Sequence, residues 1–82
     1  MLEKIFNFVG TNQINMTSAD MFKALRKREG VSLVEVGGLV GLAPSSISRF
    51  EANLSAPSIH TIENLFDAIG YRLVPIKKEY IS

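Results

Sequence analysis

Cysteine is absent from the 82 residues. No disulfide framework and no thiolate metal site can exist, and the absence fits a cytoplasmic protein. Histidine occurs once, as His60. A lone histidine is a poor metal ligand, so neither a metal nor any other cofactor is expected. No apolar run approaches the roughly 20 residues of a membrane span. The opening stretch MLEKIFNFVG is short and carries Glu3, so it does not read as a secretory leader. Charge of one sign is scarce too: nine Lys and Arg against eight Asp and Glu leave a net charge of +1. That excludes the strongly basic composition typical of phosphate-binding domains, although a basic face can still exist. Enzyme signatures are also missing. There is no paired-carboxylate pattern and no phosphate-cradling glycine loop, and Ser45, Ser46 and Ser48 have no histidine beside them. An enzyme is not expected.

What is present is a chain that should fold. Apolar residues make up 46% and charged residues 21%, too apolar a balance for a disordered segment. The length suits one small domain, whose thin margin of buried surface favours oligomerisation. Residues 1–16 form an N-terminal extension, 17–70 a helical domain, and 71–82 a C-terminal strand and tail. In the extension, Leu2, Ile5, Phe6 and Val9 have helical spacing, yet Ile5 to Val9 also fits one face of a strand.

The domain is organised around Ser32 to Glu51, SLVEVGGLVGLAPSSISRFE. Ser32 and Glu35 have the S-x-x-E spacing of a capping box, which starts a helix over Leu33 to Val40. Gly41 stands where that helix must stop and the chain turn. Pro44 opens a second helix, to about Ala52, at the position where a missing N–H is harmless. Val36, Leu39, Leu42 and Ile47 are spaced to meet in the angle between the two. This is a helix-turn-helix pattern, and its second helix has the size that enters a DNA major groove. Ser45, Ser46, Ser48 and Arg49 point outward from it while Ile47 and Phe50 point inward. Arginine suits a guanine edge, reaching O6 and N7 together, and serines can donate to bases or phosphates.

Flanking helices complete the pattern. Thr17 or Ser18 caps one, with Asp20 in its first turn, Met21, Phe22 and Leu25 as its core stripe, basic Arg26 to Arg28 in its last turn, and Gly30 as its end. Ser58 caps another, with Ile59, Ile62, Leu65, Phe66 and Ile69 as its apolar stripe and Gly70 as its end. From Tyr71 to Lys77 the period changes to alternation, which predicts one strand, restricted to an edge by Pro75. Its partner is either the N-terminal segment or the same strand of a second copy. The second arrangement closes a homodimer through Arg72, Leu73, Val74 and Ile76.

Several residues now fall into a recognisable order. Arg26 precedes Ser32 by six positions, Gly41 sits at the turn, Ser46-Ile47-Ser48-Arg49 leads to Glu51, and Pro57-Ser58 opens the next helix. From about Phe22 to Ile69 the chain resembles the Cro/C1-type (XRE-like) helix-turn-helix family of phage and bacterial repressors. The resemblance implies a mainly α, lambda-repressor-like domain of four to five helices, with a C-terminal β-strand available for pairing in a dimer. It implies a partly buried Arg26–Glu51 ion pair tying the first helix to the recognition helix. It also implies double-stranded DNA as partner, met by Ser32, Ala43, Pro44, Ser45, Ser46, Ser48, Arg49 and Asn53, with Lys23, Lys27, Arg28 and Lys77 adding attraction.

Departures from the family pattern are specific. Leu33 stands where glutamine often braces the recognition helix, which leaves an exposed leucine free for another partner. Ala52 replaces a frequent polar contact. Asn53 replaces a frequent glycine, though asparagine tolerates the left-handed backbone needed there. Gly37 stands where alanine is usual, and Gly38 has no evident reason. The expected function is a sequence-specific transcriptional regulator, a repressor that binds a near-palindromic operator as a dimer. Two alternatives stay open. One is an antitoxin similar to the HipB type, which represses its own operon and holds a toxin protein. The other is an interaction module that keeps the fold without binding DNA.

Overall fold

Local chemistry sets where the helices begin and end. The computed structural model describes residues 17–74. It contains four helices, α1 (Ser18–Glu29), α2 (Leu33–Val40), α3 (Pro44–Glu51) and α4 (Ile59–Ala68), and no strand among the described residues. Two capping boxes open α1 and α2. Thr17 Oγ1 accepts the Asp20 amide at 3.1 Å while the Asp20 carboxylate accepts the Thr17 amide at 3.3 Å. Ser32 and Glu35 repeat the exchange at 3.0 and 2.9 Å. Gly30 and Gly41 end these helices in left-handed backbone, at φ 70° and 75°. Ser58 caps α4, its hydroxyl accepting the Thr61 amide at 3.2 Å.

Both capping carboxylates titrate below their ordinary range. The Thr17 amide is the main cause for Asp20, followed by the Asn53 side chain; for Glu35 it is the Ser32 amide, followed by the Ser32 hydroxyl. The folded state therefore binds these protons less readily than the unfolded chain. Their stabilisation is complete above the unfolded carboxylate range and is lost as pH falls through the lower folded values. The melting temperature is expected to drop as pH falls below roughly 4. Circular dichroism melts of an Asp20→Asn, Glu35→Gln double variant should show a shallower drop; an unchanged profile would assign acid lability to other groups.

The helix α2, LVEVGGLV, is a weak helix former by itself. Three valines and two glycines oppose it, so tertiary packing must hold it. Val36 and Gly37 are its buried residues. They join a core of Ala19, Phe22, Leu25, Ile47, Phe50, Leu65, Phe66, Ile69 and Tyr71. Phe22 has no exposure and lies between two rings, 5.9 Å from Phe50 and 5.4 Å from Phe66, the latter edge-on. Tilted and edge-on contacts are the favoured aromatic geometries. Met21, Leu33, Leu42 and Ile62 are half-buried against this core.

Several expectations need correction. Leu39 does not enter the angle between α2 and α3; it is 70% exposed, and Val36 with Gly37 fills that role. Ile59 leaves the α4 stripe at 66% exposure, because at the first position of the helix it lies beyond the end of the core. Leu33 is not free for a partner but packs half-buried on the core. Ala52 is the cap after α3 rather than part of it. Tyr71, expected in a strand, folds back after Gly70 (φ 91°), is buried, and donates its phenol to the Glu29 carboxylate at 2.7 Å. Arg72, Leu73 and Val74 form neither helix nor paired strand. Pro75 to Lys77, including Ile76, and the N-terminal segment lie outside the described residues. Among the described residues no helix is long and apolar enough to cross a membrane.

Candidate nucleic-acid interface

The helix α3 follows α2 after a short turn. Gly41 and Leu42 both donate their amides to the Gly37 carbonyl, at 2.8 and 3.1 Å, which closes the turn. The spacing of Ile47, Phe50 and Glu51, one face of a helix, buries these three. The opposite face carries Ser45, Ser46, Ser48 and Arg49, all exposed. Ala43 and Pro44 are exposed at its start, where no side chain caps the helix. The structure thus brings six of the eight expected DNA-facing residues onto one short, convex element.

The remaining two are placed differently. Ser32 is exposed at the start of α2, but its hydroxyl serves the capping box. Asn53 has the left-handed backbone foreseen for it, φ 61°, and its side chain is engaged within the protein. Its amide donates to Asp20 Oδ1 at 3.1 Å, and its carbonyl accepts the Thr17 hydroxyl at 3.0 Å. Arg49 also has an internal contact, donating Nη2 to the Leu54 carbonyl at 3.3 Å. That one long bond steadies the guanidinium and leaves its other donors available.

The Arg26–Glu51 pair forms as expected. Arg26 Nε meets Glu51 Oε2 at 2.6 Å and Nη2 meets Oε1 at 3.0 Å, a bidentate fork. Arg26 Nη1 donates to the Val31 carbonyl at 2.9 Å. Both side chains are close to fully buried. The hydrogen bonds to Glu51 raise the Arg26 guanidinium above its already high pKa. It stays charged wherever the protein is folded. The pair therefore joins the end of α1, the following loop and the end of α3 in one joint.

The family model described as "Helix-turn-helix" matches residues 22–76. The chain belongs to the Cro/C1-type helix-turn-helix family. No curated protein and no solved structure gives a significant match. The helix-turn-helix match begins within α1 and runs through α2 to α4, so it includes the exposed face of α3 and the Arg26–Glu51 joint behind it, while Thr17 and Asp20 precede it. Sequence reasoning missed two features of this helix-turn-helix domain. The T-x-x-D spacing of Thr17 and Asp20 was visible as a capping signal, but nothing local linked it to Asn53. The Leu54 carbonyl that receives Arg49 carries no side-chain signal at all.

Proposed function

We propose that this protein is a sequence-specific DNA-binding transcriptional regulator, a repressor that binds a near-palindromic operator as a homodimer in the cytoplasm. One observation carries the reading. The second helix of a helix-turn-helix presents Ser45, Ser46, Ser48 and Arg49 outward from a buried joint, so its reading face is exposed and its base is fixed. Arg49 is the base-reading side chain, Ser45, Ser46 and Ser48 add bonds to bases or phosphates, and the start of the helix at Ala43 and Pro44 approaches the DNA backbone. Lys23, Lys27 and Arg28, all exposed on α1, supply attraction that the near-zero net charge does not. The dimer places two recognition helices about 34 Å apart, one turn of DNA. Exposed Arg72 and Val74, with half-buried Leu73, begin the segment that pairs the two copies.

The test is selection of duplexes from a random pool, followed by gel shifts across salt concentrations. A palindromic consensus bound by two chains, weakening as salt rises, is the expected result. Arg49→Ala should remain folded and lose about 1–3 kcal/mol at one base pair of each half-site. If the pool yields no consensus even at low salt, the regulator reading is wrong.

A second reading has its own observation. Leu39, Leu54, Ile59 and Val74 are large apolar side chains more than half exposed. They suit a protein partner, and an antitoxin would use them to hold its toxin while α3 remains on DNA. Co-purification with the product of the adjacent gene, lost on Leu39→Glu or Ile59→Glu without loss of DNA binding, would favour it.

A further inference from the structure

Thr17, Asp20 and Asn53 form a closed ring of hydrogen bonds. The Thr17 amide donates to Asp20 Oδ2, the Asp20 amide to Thr17 Oγ1, the Thr17 hydroxyl to Asn53 Oδ1, and Asn53 Nδ2 to Asp20 Oδ1. Each side chain serves two partners, and the ring joins residues 33 and 36 positions apart. It spans from the first turn of α1 to the second residue after α3. Asn53 is the described non-glycine residue with positive φ, so the backbone there is set in a conformation that few side chains accept. The ring adds a side-chain clamp to that turn. The recognition helix is thus held twice at the same end: by Glu51 to the end of α1, and by Asn53 to its start.

We infer that Asn53, Asp20 and Thr17 are positioning residues for DNA recognition, and that Asn53 acts through this ring rather than by touching DNA. The inference rests on the DNA-binding reading above. Two joints at opposite ends of α1 fix how α3 is rotated against it, whereas the Arg26–Glu51 joint alone leaves a pivot. Direct readout needs that rotation fixed, because bidentate contacts to base edges tolerate little misplacement; phosphate attraction does not.

Asp20 makes the inference testable, because electrostatics and positioning predict opposite signs. Removing an exposed carboxylate should strengthen binding to polyanionic DNA if it does nothing else. Positioning predicts weaker binding. The experiment compares the wild-type chain with Asn53→Gly, which keeps the left-handed turn, with Asp20→Ala, and with the two combined. Each is titrated with the selected duplex and with a scrambled one, well below its melting temperature. Each single variant is expected to bind the selected duplex roughly 5- to 10-fold more weakly, a loss the size of about one hydrogen bond, with scrambled binding unchanged for Asn53→Gly and unchanged or slightly tighter for Asp20→Ala. The double variant should be no weaker than either single, since either change opens the same ring. Thr17→Ser keeps the hydroxyl and should bind as wild type, a control against general damage to α1. The inference falls if Asp20→Ala binds the selected duplex as tightly as wild type while Asn53→Gly does not, which would make Asn53 a direct contact. It also falls if neither variant changes binding or if the losses multiply in the double. Failure of the wild-type chain to select any sequence would remove the regulator reading itself, and this one with it.

Discussion

Glu51→Ala is expected to destabilise the domain by about 3–5 kcal/mol, because it strands the Arg26 guanidinium in a site with almost no access to water. Small domains have only roughly 5–15 kcal/mol in hand, so much of the population should be unfolded at physiological temperature. Arg26→Ala should cost as much or more, since it also leaves the Val31 carbonyl without its donor. Replacing both partners, Arg26→Met with Glu51→Leu, should be milder than either single change, because no uncompensated charge is left buried. Urea denaturation of the wild type, Arg26→Met, Glu51→Leu and the double variant closes the cycle. Additive losses would show that the fork contributes nothing as a pair, and that the contact at 2.6 Å is incidental to stability. The strong version of the expectation is functional: any surviving folded fraction of a single variant should have lost the orientation of α3 along with its stability.

The second large effect is a contrast between neighbours. A Cβ at Gly37 would lie 2.5 Å from the Leu42 carbonyl oxygen, a distance that atoms do not tolerate. That oxygen belongs to backbone and cannot swing aside. Leu42 is tethered, its own amide bonded to the Gly37 carbonyl at 3.1 Å, so retreat would open the turn between α2 and α3. Gly37→Ala is therefore expected to cost about 1–3 kcal/mol, the range for overpacking a tight site. The alanine usual in the family at this position does not fit this turn. At Gly38 a Cβ would meet nothing within 4 Å. Gly38→Ala should stabilise α2 by about 1 kcal/mol through helix propensity and reduced freedom of the unfolded chain. Thermal melts of the two variants should move in opposite directions. If both destabilise, the close approach at Gly37 does not explain the pair, and α2 must need its weakness for another reason.

Much of this architecture was legible before any coordinates, and for identifiable reasons. Capping residues, terminal glycines and Pro44 are local signals, and they located four helix starts and two helix ends. The Arg26–Glu51 pair followed from resemblance rather than from spacing. The buried face of α2 was not legible, because in LVEVGGLV Glu35 is the one polar side chain and the apolar residues surround it, which gives the period little to choose between. Val36 and Leu39 were equal candidates until packing separated them. Tyr71 was misread because alternation after Gly70 resembles a strand, whereas a left-handed glycine turns the chain and buries the ring. On the candidate site, the outward serines and Arg49 were plain from helical geometry. The engagement of Asn53 was not, since both its partners are distant in the chain and neither would be chosen by residue type alone.

The recognition helix is anchored at one end only. Its base is clamped by Glu51 and backed by Ile47 and Phe50, while Ala43, Pro44, Ser45 and Ser46 project without side-chain partners that the fold requires. Stability and the proposed specificity therefore fall on different residues of the same eight-residue element. Under the proposed DNA-binding function, substitutions at the free end would change the sequence that is read without reopening the question of whether the domain folds. The constraint falls instead on the clamped end, where a change of target would have to be bought with stability. Under the proposed DNA-binding function, new binding preferences should thus arise through residues 43–46, leaving the joint intact.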